Sequence, residues 1–223
     1  MSFWRKVIAI TWKDALAEMR TKEIISAVLV FTLLVIVIFS FAFGTSPDVV
    51  KQVASGMMWV TFAFAGVLSL NRSFIMEKEE GCLEGLMVSP VSREAIYVGK
   101  MLSSLLFMLV IEAVALPMFS VLFNLNIISV QQIVIIFLTT VGFVAVGTLF
   151  SALAVNTRAR EMVLPILFFP IVAPVIISAV KASDLAISSG PWSGLVPWLQ
   201  VITAFDAIFL VVSFLIFAFV IEE

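Results

Sequence analysis

Histidine is absent from this chain, cysteine and tyrosine occur once each, and only 13% of its 223 residues are charged. Each shortage excludes something. Without histidine the usual proton shuttle near neutral pH and the commonest metal ligand are missing. A Ser-His-Asp triad and the common zinc spacings go with them. Cys82 alone cannot form an internal disulfide, and it falls in a charged loop expected in the cytoplasm, where a free thiol is ordinary. So little charge rules out an average soluble domain, which runs at roughly 25% charged residues. No nucleic-acid partner, bound metal or bound cofactor is expected.

What the chain has is apolar residues, 62% of the total. They form continuous runs of about 20 residues, the length of a spanning helix, without the alternation of barrel strands. In lipid, backbone polar groups must be satisfied within each segment, which leaves helices. The expected fold is all-α: a polytopic membrane protein of six transmembrane helices preceded by an amphipathic interfacial helix. The spans are expected near 24–43, 53–74, 97–123, 130–155, 162–180 and 199–221. Pro117 should kink the third, and Pro165, Pro170 and Pro174 should break the fifth. The expected organisation is an interfacial helix over 1–23 and a six-helix domain over 24–223.

The first 23 residues carry charge throughout, unlike a secretory signal, and are expected to be retained. Trp4, Ile8, Trp12, Ala15, Leu16 and Met19 share one helical face, while Lys6, Lys13 and Arg20 recur every seven residues on another. That pattern places tryptophans at headgroup depth and cations toward anionic lipid. The helix serves as an anchor or as an elbow that couples a moving partner to the first span.

The cations also sort by side. With six spans, Arg5, Lys6, Lys13, Arg20, Lys22, Arg72, Lys78, Arg93, Lys100, Arg158 and Arg160 share one face of the membrane, eleven of thirteen. Only Lys51 and Lys181 fall opposite. By the positive-inside rule both termini are expected in the cytoplasm. The longest outer connection, 181–198, is read as a loop turned by Gly and Pro, whose Trp192 and Trp198 form an aromatic belt or a docking surface.

Chemistry is sparse. The nearest approach to a phosphate-binding loop, Gly142-Phe-Val-Ala-Val-Gly147-Thr148, lacks the lysine and lies inside a span, so ATP hydrolysis by this chain is not expected. Acids at membrane depth are costly and draw attention. Glu112 sits mid-span, either functional or hydrogen-bonded to a neighbouring helix. Asp206 is placed in the outer part of the sixth span, reaching the interface. Glu161 is expected to pair with Arg158 or Arg160.

The loop after the second span is the most informative stretch. Charges including Glu77 and Glu79 precede Gly81. A short helix over 82–87 would show Leu83, Leu86 and Met87 on one side, and Ser89-Pro90 would end it. Ser92 stands ready to cap the next helix, although Ala95 occupies the place of the acid in a capping box. Such a knob suits a partner's groove.

At this loop the sequence resembles the membrane subunits of ABC-2 (type V) exporters. Their pattern acid-x-x-x-G-x-[LI]-E-x-L-x-x-[ST]-P-[VL]-[ST] is matched by Glu77, Gly81, Leu83, Glu84, Leu86, Ser89, Pro90, Val91 and Ser92. Within that class the whole chain is similar to the CcmB family of haem exporters. Gly56-Met-Met-Trp59-Val60, Leu68, Arg72, Phe74, Leu164-Pro165 and Pro174 carry the likeness, while Asn71 stands where the family usually has glutamate. The resemblance implies that 76–97 is a coupling loop on an ATP-binding subunit (CcmA-like). It implies a homodimer, a CcmC-like haem-handling partner and a small CcmD-like one, with haem as the cargo of the complex and ATP on the partner. Haem ligation by this chain would fall to Met, Tyr97 or Cys82, so transmission of mechanical work is the favoured role. An ABC-2 permease for another cargo (a drug, lipid-linked glycan or peptide) remains an alternative. A secondary transporter using Glu112 and Asp206 predicts paired inverted halves, which the sequence does not display. A purely structural scaffold leaves the charged knob unexplained.

Overall fold

The computed structural model describes residues 2–43, 47–79, 85, 91–155 and 160–220, and the side chains of all of these except 21, 47–48, 72–79, 155, 160–164 and 220. Seven long helices follow one another: α1 (Phe3–Thr21), α2 (Glu23–Phe43), α3 (Pro47–Glu79), α4 (Arg93–Phe123), α5 (Val130–Val155), α6 (Arg160–Ile187) and α7 (Trp192–Val220). Six of them, α2 to α7, are long and apolar enough to cross a membrane. The chain is a multi-pass, all-helical membrane protein.

The spans are not equivalent. Within their most apolar stretches α3 and α5 are 72% and 67% buried, against 22% for α2 and 28% for α7. Helix α5 is therefore the axis of the bundle, touching α3, α4, α6 and α7, while α2 packs on α3 and α4 at the edge. Small residues make the central contacts close, as lipid-embedded helices require. Gly66 of α3 receives the ring of Phe143 from α5, and Gly147 of α5 receives Leu70 from α3. The two helices thus exchange a knob for a hole twice within two turns. The glycine spacing that faintly imitates a phosphate loop is a packing surface.

Two connections differ from expectation. Helix α6 runs unbroken through Pro165, Pro170 and Pro174. Each proline deprives the carbonyl four residues earlier of its donor, but neighbouring helices, here α3, α5 and α7, keep such a segment folded at membrane depth. The 181–198 loop shrinks to residues 188–191, because α6 continues to Ile187 and α7 begins at Trp192 with Pro197 inside it. Gly190 and Pro191 act as a stop and a start. Ser189 turns left-handed (φ 56°), and the Gly190 N–H closes α6 on the Leu185 carbonyl at 2.8 Å.

A buried polar knot ties the same end of the bundle. Trp59 Nε1 of α3 donates to Ser183 Oγ of α6 at 2.9 Å, and Gln132 Nε2 of α5 donates to the same oxygen at 3.0 Å. All three side chains are buried. Ser183→Ala strands the Trp59 donor, leaves Gln132 Nε2 with only the weak acceptor Met58 Sδ at 3.9 Å, and is expected to destabilise by about 1–3 kcal/mol. Thermal unfolding in detergent checks this, with Ser178→Ala, whose hydroxyl bonds only to its own helix at the Pro174 carbonyl, as the milder control.

Candidate functional site

Helix α1 has three faces, where the sequence suggested two. Trp4, Ile8, Trp12 and Met19 are 64–68% exposed and form the apolar stripe expected to meet lipid. Lys13 and Arg20 are exposed and Lys6 is half-buried. The third face, Val7, Ile10, Asp14 and Glu18, is buried. Its spacing of three and four residues is that of a helix seam, with acids where a seam usually has apolar side chains.

That seam docks on the first turns of α4. Gly99 makes the approach possible, since a Cβ there would lie 2.8 Å from Ile10 Cβ. The Gly99 carbonyl accepts from Thr11 Oγ1 at 3.1 Å. One residue on, Lys100 Nζ reaches Asp14 Oδ2 at 3.2 Å, and Ser103 Oγ donates to the same oxygen at 3.2 Å. Lys100 is almost wholly enclosed, its side chain 1% exposed against 44% for Lys13, which pairs with Asp14 Oδ1 at 2.9 Å. The Lys100 side chain, counted above among the cations of one membrane face, is a buried ion-pair partner.

The other end of the seam controls the elbow. Lys22, in the left-handed region (φ 55°), is the sole non-helical residue between α1 and α2, and its N–H closes α1 on the Glu18 carbonyl at 2.7 Å. The Glu18 carboxylate then reaches over the corner and accepts the Ile25 N–H of α2 at 2.7 Å. It fills the capping role that a negative group plays at a helix start. Helix α1 is thereby clamped to α2 at its end and to α4 along its side.

The charged loop joins α3 to α4. Helix α3 continues for eight residues past Asn71, the end of its membrane-length stretch, to Glu79. At 1.5 Å per residue that is a stalk of roughly 12 Å. Glu77 and Glu79 are on it, and their side chains lie outside the described residues. Gly81, Leu83, Glu84, Leu86, Ser89 and Pro90 also lie outside them; Gly85 alone between 80 and 90 is described, helical and exposed. The described chain continues from Val91. Ser92 takes the N-cap position with an extended backbone, but its side chain accepts no cap hydrogen bond. Arg93 Nη1 meets the Ala218 carbonyl at 3.5 Å, bringing the loop's end to the last turn of α7. Tyr97 is buried, its hydroxyl donating to the Ala145 carbonyl at 3.1 Å and its ring against Phe217.

The membrane acids do not meet. Glu112 (2% exposed) accepts from Thr140 Oγ1 of α5 at 2.8 Å. Asp206 is buried within the bundle (6% exposed); its carboxyl lies against Gly142 of α5, the only residue type whose surface leaves room for it. Positions 140 and 142 point about 200° apart around a helix, so α5 stands between the two acids and no relay joins them among the described residues. The side chain of Glu161 lies outside the described residues.

The family model described as "CcmB protein" matches residues 5–222. A "Heme exporter protein B" of Rhodobacter capsulatus is 30% identical over 150 residues, 67% of this chain and 69% of that one. Proteins of the same name from Pseudomonas aeruginosa and Bradyrhizobium diazoefficiens are both 27% identical, over 79% and 82% of each chain respectively.

Proposed function

The chain belongs to the CcmB family, and from that premise we propose that it is the membrane (permease) subunit of an ABC-type haem exporter serving c-type cytochrome assembly. It catalyses nothing itself. ATP is hydrolysed by a separate CcmA-like subunit that grips the loop 76–97 through Glu77, Glu79, Gly81, Leu83, Glu84, Leu86, Ser89 and Pro90. CcmC-like and CcmD-like membrane partners and a second copy of this chain complete the assembly, in the inner membrane with both termini cytoplasmic.

The observation that carries this reading is the pair of clamps on α1. A push on the loop is delivered to the first turns of α4, where Lys100 and Gly99 hold α1, and α1 hands it to α2 through Glu18. The role favoured is transmission rather than conduction of haem. Met57, Met58, Met101 and Met108, soft atoms that would suit a haem iron, are buried among the packed helices and serve as filling.

Purification in mild detergent tests the proposal. The unmutated chain is expected to bring down a nucleotide-binding subunit, and Glu84→Arg, which reverses one charge of the handle, to lose it while remaining in the membrane. Absence of any nucleotide-binding protein beside the unmutated chain overturns the coupling role. Haem bound to the purified chain alone overturns transmission.

A further inference from the structure

Glu112 forms part of the wall of a cleft between α4 and α5 that neither the coupling loop nor the clamps use. The cleft holds about 340 Å3, inside the range of roughly 300–1,000 Å3 common for small-molecule sites. Leu109, Ala113, Leu116 and Pro117 from α4 and Ile133 and Phe137 from α5 line it. It opens outward, because Ile133 and Phe137 are half-exposed on the bundle surface where lipid lies. No lysine or arginine stands on its walls.

Its polar equipment is one-sided. Thr140 serves Glu112 Oε1, and Glu112 Oε2 has no hydrogen-bond partner among the described residues. One turn along, Pro117 has no N–H to offer the carbonyl four residues earlier, that of Ala113, which lines the same cleft. A second acceptor is thus relieved of its helical donor at the same depth. Two residues that line one apolar chamber thus each carry an acceptor, one of them a buried carboxyl oxygen.

We propose that this cleft binds a lipophilic primary amine taken up sideways from the bilayer. A primary ammonium is donor-only, so it complements an ionised carboxylate and a bare carbonyl together, with its charge opposite to the carboxylate's. At ~30 Å3 for a water-sized group the chamber takes about a dozen heavy atoms, one alkyl chain rather than a macrocycle. Haem, whose periphery carries carboxylates, is the wrong sign and too large for it. The site is therefore independent of the exporter reading and survives or fails without it.

Photolabelling of the assembled complex in native membranes tests the proposal. The probe is dodecylamine carrying a diazirine and an alkyne, with the matched methyl ester as control, and labelled peptides are mapped by mass spectrometry. The amine is expected to label residues 109–137 about tenfold more than the ester, the size of one charge-assisted hydrogen bond. Glu112→Leu is expected to bring the amine down to the ester's level. Ile133→Trp, which fills the mouth and leaves the carboxyl in place, is expected to abolish labelling by both while the complex still co-purifies. Equal labelling by amine and ester overturns the proposal, as does amine labelling that Glu112→Leu leaves unchanged. An unlabelled stretch in the complex overturns it too, since a partner's helix then fills the cleft.

Discussion

Lys100→Met is expected to destabilise the chain by about 3 kcal/mol or more, and Lys13→Met by less than about 1 kcal/mol, although both lysines pair with the same aspartate. The difference is burial. Lys13 is 44% exposed, and an exposed pair gains little over water. Lys100 is enclosed against Asp14 Oδ2; removing a buried partner leaves a desolvated carboxylate behind, which costs ~3–5 kcal/mol. Asp14 keeps Ser103 and Lys13, which places the loss toward the lower end. Removing both charges (Asp14→Leu with Lys100→Met) is expected to cost far less than Lys100→Met alone, since a buried pair replaced by apolar groups is often near neutral. Thermal unfolding of the detergent-solubilised chain reads these values. The assembled complex supplies the functional readout: the double replacement restores stability but removes the polar grip between α1 and α4. Cytochrome c maturation is therefore expected to stay low where stability has recovered. Full recovery of both would show that the pair is only structural.

The order and number of the spans were legible because lipid imposes a long apolar run on each. The six-span count followed, and so did the CcmB likeness, through Gly81-to-Ser92 spacing and the second span. What escaped reading has one physical origin: a contact between helices leaves little trace in either sequence alone. Asp14 and Glu18 look like the solvated acids of any amphipathic helix until Val7 and Ile10 are placed above them on the same side. Lys100 looks like a cation at the membrane border until Gly99 is seen to let α1 pass. The signal that existed was the i, i+4 pairing of two acids in register with Val7, Ile10 and Thr11, a stripe that neither lipid nor water would favour. The same limit applied at 181–198. Gly and Pro mark both a loop and the ends of two abutting helices, and only the packing of α6 on α7 decides between them.

Gly142→Ala is expected to cost about 1–3 kcal/mol, and Asp206→Ala to remove most of that cost. The added methyl would land on the Asp206 carboxyl, with Asp206 Cγ and Phe205 Cδ1 both 3.1 Å away. The acid cannot swing to water, because it is buried between α5 and α7. Asp206→Ala alone is expected to be mild, since Oδ1 has no hydrogen-bond partner among the described residues and its removal strands no donor there. The double variant is then non-additive by ~1–2 kcal/mol, the mark of two groups competing for one space. Gly56→Ala is the control: nothing lies within 4 Å of its new methyl, and alanine in a helix interior gains rather than loses, by up to about 1 kcal/mol. The cycle also judges the competing transport scheme. A transporter that carried protons between Glu112 and Asp206 would lose turnover in Asp206→Ala whatever happened to stability. With α5 standing between the two acids, the expectation is the reverse: Asp206→Ala keeps cytochrome c maturation, Gly142→Ala loses it in proportion to the folded protein lost, and the double variant regains it.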